Sequence, residues 1–144
     1  MSKVSPHFSL IAFACGVSLA CSLPALAVTV DLKADLKASN EVPPNESKGA
    51  GSVTATFDTD SNKLSWKGSV SGLIGTVTAA HFHAAEAGRN GAVAVPITGA
   101  DKGSFEGSAT LTDTQAEDLM AGKWYVNIHT TTYKAGEIRG QMTK

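Results

Sequence analysis

The chain has 144 residues, 12 Lys+Arg against 13 Asp+Glu, four His, two Cys and 42% hydrophobic residues, which suits one buried core and hardly two. A formal charge of -1 with no Lys/Arg cluster gives no electrostatic footprint for nucleic acid or an anionic membrane surface. Only 17% charged residues beside 14 Gly speak against a coiled coil and for a Gly-punctuated β-rich domain.

The first segment reads as a secretory signal peptide. Lys3 supplies a positive start, Phe8 to Leu23 is almost unbroken apolar or small sequence, and Pro24-Ala25-Leu26-Ala27 places small residues where signal peptidase reads. Cleavage after Ala27 divides the chain into a leader, 1–27, and one domain, 28–144, exported to the periplasm or secreted. A retained membrane helix is the bland alternative. A lipoprotein anchored through Cys21 is another, although Ser18 stands where a lipobox has an aliphatic residue. Removing the leader takes away His7, Cys15 and Cys21, so the 117 residues left contain no cysteine and only His81, His83 and His129 as histidines. Thiolate ligands and disulfides are then excluded from the domain.

From Val28 the hydrophobic period is close to two, with turn residues every eight to twelve positions. Val28 to Leu32 opens a first strand. Asn40 to Asn45, with Pro43 and Pro44, is a loop, since proline cannot donate to a central ladder. Val53, Ala55 and Phe57 alternate with threonines, Asp58 to Asn62 turns the chain, and Leu64, Trp66, Gly68 and Val70 return as the second arm of a hairpin. Strands follow at Thr76–Ala84, Ala92–Ile97 and Gly103–Thr112. One short helix, capped by Thr112 or Asp113 and ended by Gly122, joins the last of these to strands at Trp124–Thr130 and Glu137–Met142. The expected fold is all-β: a Greek-key β-sandwich or barrel, immunoglobulin-like or copper-zinc superoxide dismutase-like, with seven to eight strands and one short helix.

His81 and His83 stand two apart on a strand, so both imidazoles project from one face and Phe82 from the other. His129 shares a face with Tyr125 and Asn127, opposite Trp124, Val126 and Ile128. If the two strands are neighbours, three imidazoles meet, and three nitrogen ligands leave one coordination position open. Neutral imidazole suits copper, zinc or nickel. The all-nitrogen set and the export signal lean towards copper, with zinc as the alternative. The plainer reading makes each histidine a hydrogen-bonded strand residue. Tyr125 and Asn127 are expected to line the pocket, and Glu86 and Asn90 to orient an imidazole or to sit in a solvated loop. Arg139 is either a cross-strand ion-pairing residue or a cation that draws a small anion towards the metal. Trp66 and Trp124 are expected in the core.

The segments Ala80-His81-Phe82-His83, Gly88-Arg89-Asn90-Gly91, Leu119 to Thr130 and Gly136-Glu137-Ile138-Arg139-Gly140-Gln141 resemble the CHRD domain. That module is named after chordin and is found in exported bacterial proteins. Leu36 to Pro44 is similar to the family's opening, while Phe82 stands where an aliphatic residue is common. In chordin the module belongs to a growth-factor antagonist, which implies a protein-binding or adhesion role without metal. A looser likeness is to exported copper-zinc superoxide dismutases, in which a His-x-His pair, a later histidine and a guiding arginine serve the copper. That likeness implies His81, His83 and His129 as ligands and Arg139 as the guide for superoxide. It lacks the bridging fourth histidine and the zinc loop. Three functions are thus on the table: a redox enzyme using superoxide, a non-catalytic copper carrier or buffer, and a metal-free binding module.

Overall fold

The computed structural model describes residues 28–144, and the leader reading of 1–27 lies outside them. Strict alternation along Val30–Leu36, Val53–Phe57 and Leu64–Val70 puts one side chain in two inside, so these segments pair as a meander around a single core. The strands are β1 (Thr29–Lys37), β2 (Ala50–Asp58), β3 (Lys63–Ser71), β4 (Val77–Ala84), β5 (Ala92–Ile97), β6 (Ser104–Thr110), β7 (Trp124–Thr130) and β8 (Ile138–Gln141). All eight join one antiparallel sheet in the order β5-β4-β7-β8-β1-β2-β3-β6.

The sheet curls until its edge strands β5 and β6 approach each other without pairing, which makes a nearly closed barrel rather than two separate sheets. Across that seam β4, β5 and β6 are neighbours and β3 returns beside β6, a Greek-key arrangement. The sheet has the upper number of strands expected, and β1 runs five residues further than its opening apolar run suggested, because Ala34 and Leu36 continue the alternation. The single helix α1 (Asp113–Met120) starts at a capping box in which Thr112 and Gln115 satisfy each other's backbone N–H. It buries Ala116 and Leu119, and the Gln115 amide donates to the Ala94 carbonyl of edge strand β5 at 3.3 Å. An otherwise open edge is partly covered in this way.

The core holds Leu32, Phe57, Leu64, Val126, Ile128 and Ile138, with Trp66 edge-on to Phe82 at 5.1 Å and Trp124 beside Phe82 at 5.8 Å. Both tryptophans are core residues, as their alternation implies. Strands β7 and β8 are buried on both faces, with only His129 and Gln141 partly open. The outer face of β8 lies under the connection Ala38–Gly49, which is tied down by Asn40 to the Arg139 carbonyl (3.0 Å) and by Asn45 to the Glu137 carbonyl (3.0 Å). Under that strap lies the polar region of the molecule.

Candidate metal centre

The register of β4 against β7 decides whether the histidines meet. Ala79 faces His129, His81 faces Asn127 and His83 faces Tyr125, so all six side chains share the outer face of two neighbouring strands. The three imidazoles converge: ring centroids are 5.5 Å apart for His81 and His83, 5.3 Å for His81 and His129, and 5.8 Å for His83 and His129. One nitrogen from each lies within 4.8 Å of the others, and this is the one such group of three ligating side chains among the described residues. Nitrogens bound tetrahedrally to one ion at about 2.0–2.1 Å lie about 3.4 Å apart, so the rings need to close by up to about 1.4 Å.

Hydrogen bonding fixes which nitrogens face inward. His83 Nδ1 lies 2.9 Å from the Gly91 carbonyl and His129 Nδ1 lies 3.0 Å from the Lys134 carbonyl. A carbonyl only accepts, so both Nδ1 atoms carry the proton and both Nε2 atoms keep a free lone pair. Those two Nε2 atoms and Nδ1 of His81 are buried and have no protein partner. A buried unpartnered nitrogen costs about 1–3 kcal/mol. Three of them on rings that converge on one face of the sheet is an arrangement a cation relieves.

The electrostatics agree. Burial holds the His81 imidazolium pKa below the ordinary value, reinforced by His129 and His83. His83 is lowered by burial too, with the Gly91 carbonyl pulling the other way and His129 and Arg139 adding to the depression. Both rings are therefore neutral near pH 7 and keep their lone pairs available.

The remaining residues singled out by the sequence lie as follows. Tyr125 is 2% exposed and stacks on His83, centroids 4.9 Å apart at 8°. Its hydroxyl accepts from the Gly91 N–H at 3.1 Å. Asn127 is buried on the same face, between Tyr125 and His129. Glu86 is exposed in the β4–β5 turn and makes no side-chain hydrogen bond with an imidazole; backbone carbonyls of Gly91 and Lys134 orient the rings instead. Arg139 is 2% exposed, and its guanidinium lies over the Tyr125 ring at 3.4 Å while donating to the Arg89 carbonyl and the Asn90 Oδ1. A cation so enclosed does not present itself to an approaching anion, because the strap from Ala38 to Gly49 covers it. It is not paired with its strand neighbour Glu137 either, whose carboxylate accepts from Ser47, Ile74 and Thr130.

The sequence reading passed over Glu41. This carboxyl is 6% exposed, and burial raises its pKa from 4.5 to about 7, with Arg139 and the Asn127 amide opposing the rise. Its Oε1 and the Asn127 Oδ1 are both buried without a donor. No residue-level signal marked it, since a lone acidic residue ahead of two prolines reads as an exposed loop.

An all-β barrel with a three-histidine group on its outer face defines a class of candidate metal-binding domain. Residues 32–142 match the CHRD domain family model, and the chain belongs to that family. Neither the curated proteins nor the solved structures gave a match. No helix among the described residues is long and apolar enough to cross a membrane.

Proposed function

We propose that the protein is an exported CHRD domain that binds one copper ion through Nδ1 of His81 and Nε2 of His83 and His129. The observation that carries this reading is the convergence of three rings, each of which holds one buried, unpartnered nitrogen. The donor set is nitrogen-only and free of carboxylate, and among divalent ions that compete for such sites copper binds most tightly. Zinc fits the same donors less selectively. Copper bound there supplies a one-electron redox couple, while the chain's own residues hold the rings and keep His81 and His83 neutral. Carriage or buffering of copper is the activity that needs nothing more than the site itself.

Reaction with superoxide is the second reading, favoured by the partial exposure of His81 and His129, which leaves the centre open to a small anion. Burial of Arg139 argues against its serving as the guiding cation in that reading. Rate over free copper is its measure.

The deciding experiment is metal analysis of protein recovered after export of the full chain to an oxidising compartment with copper and zinc supplied, beside the His81→Ala/His83→Ala variant. About one copper per chain, lost in the variant, is expected. Zinc in its place would change the metal, and no metal in either would overturn the proposal in favour of a metal-free binding module.

A further inference from the structure

Arg139 is buried, yet it has no carboxylate within ion-pair distance among the described residues. Removing a guanidinium from water is costly unless its donors are used, and here they are spent on a turn. Nη2 donates to the Arg89 carbonyl at 2.6 Å and Nη1 to the Asn90 Oδ1 at 3.1 Å. Arg139 belongs to β8, whereas Arg89 and Asn90 lie between β4 and β5, two strands away. The next residue in that turn is Gly91. Its N–H is held by the Tyr125 hydroxyl at 3.1 Å and its carbonyl faces His83 Nδ1 at 2.9 Å. Gly91 has to be glycine, since a Cβ there would run into the Ala84 carbonyl oxygen. The same Tyr125 ring lies flat between the guanidinium and the His83 imidazole.

Both coordinates of the His83 ring therefore trace back to one residue. Tyr125 sets the plane of the ring, and the Gly91 carbonyl sets its rotation and tautomer. Arg139 grips the face of the first and the backbone beside the second. We infer that Arg139 is a positioning residue, which locks the Arg89–Gly91 turn so that His83 carries its proton on Nδ1 and offers Nε2 to the metal. The inference rests on the metal-binding reading for its purpose but not for its geometry, which is a property of the metal-free protein. It also gives the arginine a task other than attracting an anion.

The test has two readouts on exported protein. Long-range 1H–15N NMR of the metal-free form reports the His83 tautomer, and competition titration reports copper affinity. In the wild type His83 is protonated on Nδ1 alone. Arg139→Gln is expected to show a mixture of tautomers and an affinity about 10- to 100-fold weaker, the range typical of lost partners around a ligand. Arg139→Lys, which restores the charge without the two-pronged grip, is expected to recover only part of that loss. A folded Arg139→Gln protein with an unchanged tautomer and an affinity within about twofold of wild type would overturn the inference. If Arg139→Gln does not fold, the tautomer in Arg139→Lys decides, since lysine keeps the buried charge and loses the two-pronged grip on Arg89 and Asn90. A mixed tautomer is then expected, and an unchanged one refutes the proposal. Wild-type protein that binds no metal would sink the copper reading alone, because the tautomer still answers the question of positioning.

Discussion

Replacing Glu41 by Gln in the metal-free protein isolates the carboxyl that burial has displaced. Its folded pKa is raised from 4.5 to about 7, so between those values the folded state holds a proton that the unfolded chain has released. Stability attributable to this group is present below pH 4.5 and is lost as pH rises through 7, the reverse of the usual carboxylate. At about 1.4 kcal/mol per pH unit the full loss is about 3 kcal/mol. Glutamine keeps the shape, carries no charge, and brings an amide that can donate to the unpartnered Asn127 Oδ1. Glu41→Gln is thus expected to match the wild type at pH 5 and to exceed it by about 2–3 kcal/mol at pH 8.5, a rise of roughly 10 °C in melting temperature for a domain of this size. Denaturant or thermal unfolding across that range measures it. Taking the difference between the two proteins cancels the histidines, whose lowered pKa values act in the opposite direction by costing stability as pH falls below 6.5. A difference that does not change with pH, or a variant less stable than wild type at pH 8.5, would refute the reasoning.

Two further outcomes follow from the same site. Because His81 and His83 resist protonation, copper is expected to stay bound as pH falls past 6.5, where an exposed imidazole site would already release it. A titration followed by copper absorbance checks this, and half-release above pH 6.5 contradicts it. Gly91→Ala forces the turn away from the Ala84 carbonyl, so a loss of about 1–3 kcal/mol in unfolding free energy is expected together with weaker copper binding. Unchanged stability would show that the turn yields without strain.

Much of the barrel was legible because its signals are local. The alternation of Val53, Ala55 and Phe57, the cap at Thr112, and the bounds of β7 depend on neighbours in sequence. The faces of His81, His83 and His129 were legible for the same reason. Whether those faces meet was not, because β4 and β7 are separated by β5, β6 and α1, and nothing in either strand names its partner. The burial of Arg139 and Glu41 was not legible, for one shared cause. A residue's burial on the outer face of a sheet depends on what crosses above it, and the path of the strap from Ala38 to Gly49 is written in its anchoring bonds rather than in any periodicity. Glu86 takes the solvated-loop alternative: its place just after the strand puts it near His83 in sequence, and the turn carries it into solvent.

The sheet order also bears on the timing of assembly. β1 lies between β2 and β8, with Lys37 opposite Arg139 and Lys33 exchanging two backbone bonds with Thr143 at 2.8 and 2.9 Å. A chain delivered N-terminus first can build the β1–β3 meander as soon as it emerges, but one side of β1 stays bare until residues 138–143 arrive. The first strand out is completed by the last one in. An interrupted chain would therefore display a long alternating edge, which is a template for pairing with other chains and an opening for proteases.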